Sequence, residues 1–189
     1  MRLAIILFFT AALSLPAEIV TILPDSTTIA QGSDTQISIE ISDLTTDLYA
    51  FQFDLVYAPA IDALDANEGA FLPGAGATLF IGGTIDNTGD TISAIADTIL
   101  GAGPGATGSG TLVTVDVTGV SPGTAALSLA NATFLDSNLD TLTFTEVDSS
   151  ITVTATPEPA TWLLVLSVMV VVCVKSATAN ARDANKKPV

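Results

Sequence analysis

Thr35-Gln36-Ile37-Ser38-Ile39-Glu40-Ile41 decides the fold: three isoleucines alternate with Gln36, Ser38 and Glu40. A period of two is what a strand with one buried face requires, because successive side chains leave the pleat on opposite sides. Phe51-Gln52-Phe53-Asp54-Leu55-Val56-Tyr57 repeats the pattern and puts Phe51, Phe53, Leu55 and Tyr57 on the inner side. Further strands are expected over 78–85, 91–99, 111–117, 124–129, 141–145 and 150–154. Between them stand turn clusters: Asp86-Asn87-Thr88-Gly89-Asp90, the glycine-rich stretch 101–110, read as a long loop, and Ser121-Pro122-Gly123. No amphipathic helix of useful length interrupts this series, and no internal repeat is visible. The pattern predicts an all-β, antiparallel β-sandwich.

The 189 residues carry a net charge of -15, yet no lysine, arginine or histidine lies between Arg2 and Lys175. Cations that flank apolar runs report membrane topology. Met1-Arg2 followed by an uncharged Leu3–Leu15 and Pro16-Ala17 reads as a signal peptide, residues 1–17, cleaved after Ala17. At the other end Trp162 would sit at a membrane interface. An apolar helix over about 160–179 would span the bilayer, with Lys175 snorkelling and Arg182 as a stop-transfer charge. The expected division is 1–17, 18–156 and 157–189, with the middle part exported. Its acidity repels phosphate backbones, so nucleic acid is not an expected partner. The lone Cys173 forms no disulfide within the chain, and without histidine neither Ser-His-Asp nor Cys-His catalysis can be assembled.

Pro157-Glu158-Pro159, followed by the apolar run and basic end, resembles the PEP-CTERM sorting signal of Gram-negative bacteria. That resemblance implies handling by an exosortase-type enzyme and an envelope or matrix rich in polysaccharide. In this tail the cations are spread out, whereas family tails end in a compact arginine cluster. A second resemblance covers most of 18–154. The stretch 48–59, ending Tyr57-Ala58-Pro59, looks like an early strand of cohesin modules, which typically closes on Tyr-Asp-Pro. The segments 108–115, 123–131 and 136–138 continue the likeness in order. Cohesins are nine-stranded jelly-roll sandwiches that bind dockerin modules, and their fold is related to some carbohydrate-binding modules. The resemblance implies an outward partner-binding face on the early strand. Where cohesins present Asn and Asp, this chain has Ala50 and Gln52, so those contacts do not carry over.

Asp136-Ser137-Asn138-Leu139-Asp140 has the opening spacing of an EF-hand loop. Thr141 replaces its glycine and Val147 its final acid, so an Asx-stabilised turn is the better reading. Asp86 and Asp90 read the same way, and Asp62, Asp65 and Glu68 read as an acidic loop. No cofactor or metal is expected, calcium at that surface having no further support. Carboxylates alone do not specify glycosidase chemistry, and Tyr49 is the one ring expected to be exposed for contact. The expected function is therefore a non-catalytic, exported interaction module working through Tyr49, Gln52 and Asp54. A carbohydrate-binding or matrix structural protein is the alternative.

Overall fold

The structure, a computed structural model, describes residues 18–156 together with Ser167, Met169 and Lys175, which are helical and exposed. The expected signal peptide lies outside the described residues, as do Pro157, Glu158, Pro159, Trp162 and Arg182 of the expected sorting tail. Among the described residues no helix is long and apolar enough to cross a membrane. Among the described residues, 18–155 form one compact unit, distinct from the segment that begins at Thr156.

Twelve strands form among the described residues. One sheet runs in the order β11 (Phe144–Val147), β1 (Glu18–Pro24), β3 (Asp34–Leu48), β9 (Ala106–Gly119), β5 (Ile61–Glu68). The other runs β2 (Thr28–Ala30), β12 (Ser149–Thr154), β10 (Gly123–Leu135), β4 (Ala50–Tyr57), β8 (Thr91–Ile99), β6 (Thr78–Ile81), with β7 (Thr84–Asp86) also on β8. Nearly every connection crosses from one sheet to the other, so the sheets close over one core. Ile37, Ile39 and Ile41 face it as the alternation predicts, opposite Phe51, Phe53, Leu55 and Tyr57. Val113, Val115 and Val117 of β9 and Leu127, Leu129 and Phe134 of β10 complete it.

The expected antiparallel pairing holds for most of the ladder but not at its ends. β1 pairs β11 in parallel, and β12 pairs β2 in parallel. The passage from β1 to β2 crosses between the sheets, and β11 to β12 makes the same crossing beside it. Two segments taking one route in one direction must pair in parallel.

Three further expectations are corrected. The stretch 62–68 is strand β5 rather than an acidic loop: Ile61, Ala63 and Ala66 face the core while Leu64, Asp65 and Asn67 are exposed, and a register shift between Ala63 and Asp65 hides the alternation. The strand expected over 78–85 breaks into β6 and β7 at Gly82-Gly83. Gly83 takes a φ of 78°, and a Cβ there would stand 2.6 Å from the Ser93 carbonyl oxygen, so only glycine fits. The loop expected over 101–110 is shorter, since β9 begins at Ala106.

The two sheets are tied at one end by Asn87, in the turn after β7. Its Oδ1 accepts from the Tyr57 hydroxyl at 2.6 Å and the Ala63 amide at 2.9 Å, while its Nδ2 donates to the Ala63 carbonyl at 3.1 Å. Burial, with Asp62, Asp90 and Asp86 adding repulsion, pushes the Tyr57 phenol up to about 12, so it stays a hydroxyl donor. The Asp136 turn forms as expected. Its Oδ1 accepts from the amides of Asn138 and Asp140, both at 2.8 Å, which leaves it committed to the backbone. Asp86 accepts from Thr88 and Gly89 in the same manner.

Candidate interaction face

Gln52 lies on the outer face of β4, where the alternation that buries Phe51 and Phe53 must put it. Register then sets its neighbours. One row across the sheet is Leu135, Ala50, Thr98, Leu79, and the next is Thr133, Gln52, Ala96, Ile81. In the first row Ala50 and Thr98 lie between two leucines, and in the second Ala96 lies between Gln52 and Ile81, so the face dips along β8. The resulting groove holds about 350 Å³. Its far wall is aliphatic and open to solvent, Leu79 being 54% and Ile81 52% exposed. Side by side on one strand face they begin a contiguous apolar patch, the kind of surface that marks an interaction site, whereas apolar side chains exposed singly do not. The exposed large apolar residues of the described part are all aliphatic or methionine, which leaves no aromatic platform on this face for a sugar ring.

Asp54, two residues along, does a different job. Its Oδ1 accepts from the Ala94 amide at 2.7 Å and its Oδ2 from Asn131 Nδ2 at 2.6 Å. Ala94 (φ 59°) and Asn131 (φ 51°) sit at register breaks in the two strands that flank β4, so Asp54 pins a bulge on each side. These bonds, the Ala94 amide first, hold its carboxyl below the usual range. A depressed carboxylate stabilises the fold above its unfolded value and loses that contribution as pH falls through the folded one. Asp54→Ala is expected to cost about 1 kcal/mol at pH 7 after allowance for solvent screening, read as a lowered urea midpoint. An unchanged midpoint would show that the bulges hold without it.

Tyr49 is not on this face. It occupies the single-residue link between β3 and β4, its ring is half-buried against the core, and its hydroxyl donates to the Gly101 carbonyl. Parity explains this: Tyr49 shares the inward set with Phe51 and Phe53. Of the three expected contact residues, only Gln52 therefore lines the groove. The residues missed were Leu79, Ile81, Ala96, Thr98, Thr133 and Leu135. Thr78-Leu79-Phe80-Ile81 carried a signal, because a strand with apolar residues on both faces needs a second covering.

Below the groove floor lies a feature of another kind. Asp97 occupies a core-facing position of β8 between Ile95 and Ile99, only 2% exposed, and neither carboxyl oxygen meets a hydrogen-bond partner. Burial, with Glu68 adding repulsion, pushes its carboxyl up to about 6. Among the described residues no group of three or more His, Cys, Asp or Glu side chains gathers as a metal cage.

No family model matches the chain, and no curated protein matches it. Solved structures do. A non-cellulosomal cohesin from the archaeon Archaeoglobus fulgidus superposes with a TM-score of 0.58 at 15% identity, over 73% of this chain and 91% of its own. A type II cohesin domain from the cellulosome of Acetivibrio cellulolyticus gives 0.59 at 16%, over 72% and 95%. A type I cohesin–dockerin complex from Clostridium thermocellum gives 0.59 at 13%, over 78% and 100%. At such identities the likeness is one of architecture: the described sandwich has the cohesin fold.

Proposed function

We propose that this chain is a non-catalytic protein–protein interaction module that takes a dockerin-like partner on the outer face of the β10-β4-β8-β6 sheet. The observation that carries this is the aliphatic groove at Ala50, Gln52, Ala96, Leu79 and Ile81, on a fold whose solved neighbours include cohesins in complex with dockerins. With Ala50 and Gln52 where cohesins present Asn and Asp, recognition rests on apolar packing rather than on side-chain hydrogen bonds from β4. The partner's complement is an apolar stripe flanked by lysine or arginine, because residues 18–156 hold no cation of their own. The terminal sequences support export and retention at the envelope of a Gram-negative bacterium, through a PEP-CTERM tail processed by an exosortase-type enzyme, in a setting rich in polysaccharide.

The test is binding of residues 18–156 to a panel of dockerins from the same genome, with a Leu79→Asp/Ile81→Asp double variant alongside. Both positions are more than half exposed, so thermal stability should stay within about 0.5 kcal/mol of the parent. Loss of two central contacts should weaken binding about 100-fold or more. Equal binding by the double variant, or retention on polysaccharide with no dockerin bound, would sink the reading.

A further inference from the structure

Asp97 faces the core where the two sheets meet. Phe51 of β4 and Phe80 of β6 are its register partners, and Glu68, at the end of β5, reaches it from the opposite sheet. No other charged group among the described residues bears on it, and no lysine, arginine or histidine lies anywhere in 3–174 to act as counter-charge. An ionised carboxylate buried without a partner is costly. Glu68 does not help while both groups are ionised, because two carboxylates only accept. One proton changes this. A protonated Asp97 donates its O–H to the Glu68 carboxylate, and the orphaned group gains its partner. Glu68 is already held, since its Oε1 accepts from the Thr78 hydroxyl of β6.

We propose that Asp97 binds a proton and donates it to Glu68, and that this carboxyl pair clamps β5 of one sheet to β6 and β8 of the other, directly beneath the groove. Below the transition the chain Thr78–Glu68–Asp97 is a closed relay of donors and acceptors. Above it two negative charges repel across the seam, and the β6 edge that carries Leu79 and Ile81 loosens. Any effect on partner binding rests on the dockerin-like interaction proposed for this face. The clamp does not, so it is tested by stability alone.

Linkage sets the sign. With the folded carboxyl at about 6 and an unfolded one near ~3.9, the folded state holds more protons between those values. Stability is greatest below that window and falls as pH rises through it. Thermal unfolding of the full-length chain in a mild detergent should be monitored from pH 5 to 7.5, above the pI of about 4.1. The wild type is expected to lose about 3–6 °C over that range. Asp97→Asn should keep less than half of that fall and melt above wild type at pH 7.5, and Glu68→Gln should blunt the slope as well. Asp43→Asn, an exposed carboxylate on β3, should keep the wild-type slope. An Asp97→Asn slope equal to wild type would assign the effect to general charge repulsion and overturn the clamp. So would a calcium-induced rise in melting temperature at pH 7.5 that Asp97→Asn abolishes, because the neutralising ion would then be a metal. Failure of the dockerin panel leaves these melts unaffected.

Discussion

Phe53→Ala is expected to remove about 3–5 kcal/mol of stability, out of roughly 5–15 available to a domain of this kind. Phe53 is fully buried, stacks on Phe51 at a centroid distance of 5.4 Å, and lies 6.5 Å from Phe134. Phe134 in turn meets Phe144 edge-on at 4.4 Å, so the four rings form one continuous cluster. Truncation removes the transfer free energy of the ring and leaves a cavity that strands fixed by ladders on both sides cannot collapse to fill. Nothing covalent compensates, since the chain's single cysteine is Cys173. Urea titration should show a lower midpoint with an unchanged slope. A loss below about 1 kcal/mol would mean that the cluster repacks, contrary to the close packing of protein interiors.

Alternation made the central strands legible, because Ile37, Ile39, Ile41 and the set from Phe51 to Tyr57 run without interruption. Elsewhere bulges change its parity, although the strand expected over 91–99 still coincides with β8. In β3 the inward set moves from Ile41 to Leu44 around Asp43, which has a φ of 56°. In β10 it moves from Leu129 to Phe134 around Asn131, and in β8 from Ile92 to Ile95 around Ala94. One extra residue flips every later side chain to the other face. This is why the strand expected over 124–129 stops six residues short of Leu135.

The groove was half legible. Gln52 could be placed from its own strand, but its concavity depends on which strands lie beside β4, and that is a property of topology rather than of any local pattern. Asp97 carried a usable signal, a charge at a core-facing position in Ile95-Ala96-Asp97-Thr98-Ile99. Its meaning emerges only when β5 of the other sheet brings Glu68 against it.

Gly69→Ala is expected to cost at least about 3 kcal/mol, beyond the usual range for a single added methyl, or to yield no folded product. The reason is approach rather than conformation. A Cβ on Gly69 would stand 2.1 Å from the Thr111 carbonyl oxygen and 2.7 Å from the Leu112 carbonyl carbon, all backbone. The chain leaving β5 lies against β9 there, with the Gly69 amide donating to Leu112 at 2.9 Å and the Phe71 amide donating to Thr111 at 3.0 Å. Pushing it away breaks both bonds, withdraws Phe71 and Leu72 from the core, and moves Glu68 off the Asp97 seam. Gly103→Ala is the matched control: nothing lies within 4 Å of its added Cβ, so its stability should stay within about 0.5 kcal/mol of the parent. Should Gly69→Ala melt within about 2 °C of the parent, the close passage between β5 and β9 would be wrong. The clamp beneath the groove would then lose the placement of Glu68 on which it depends.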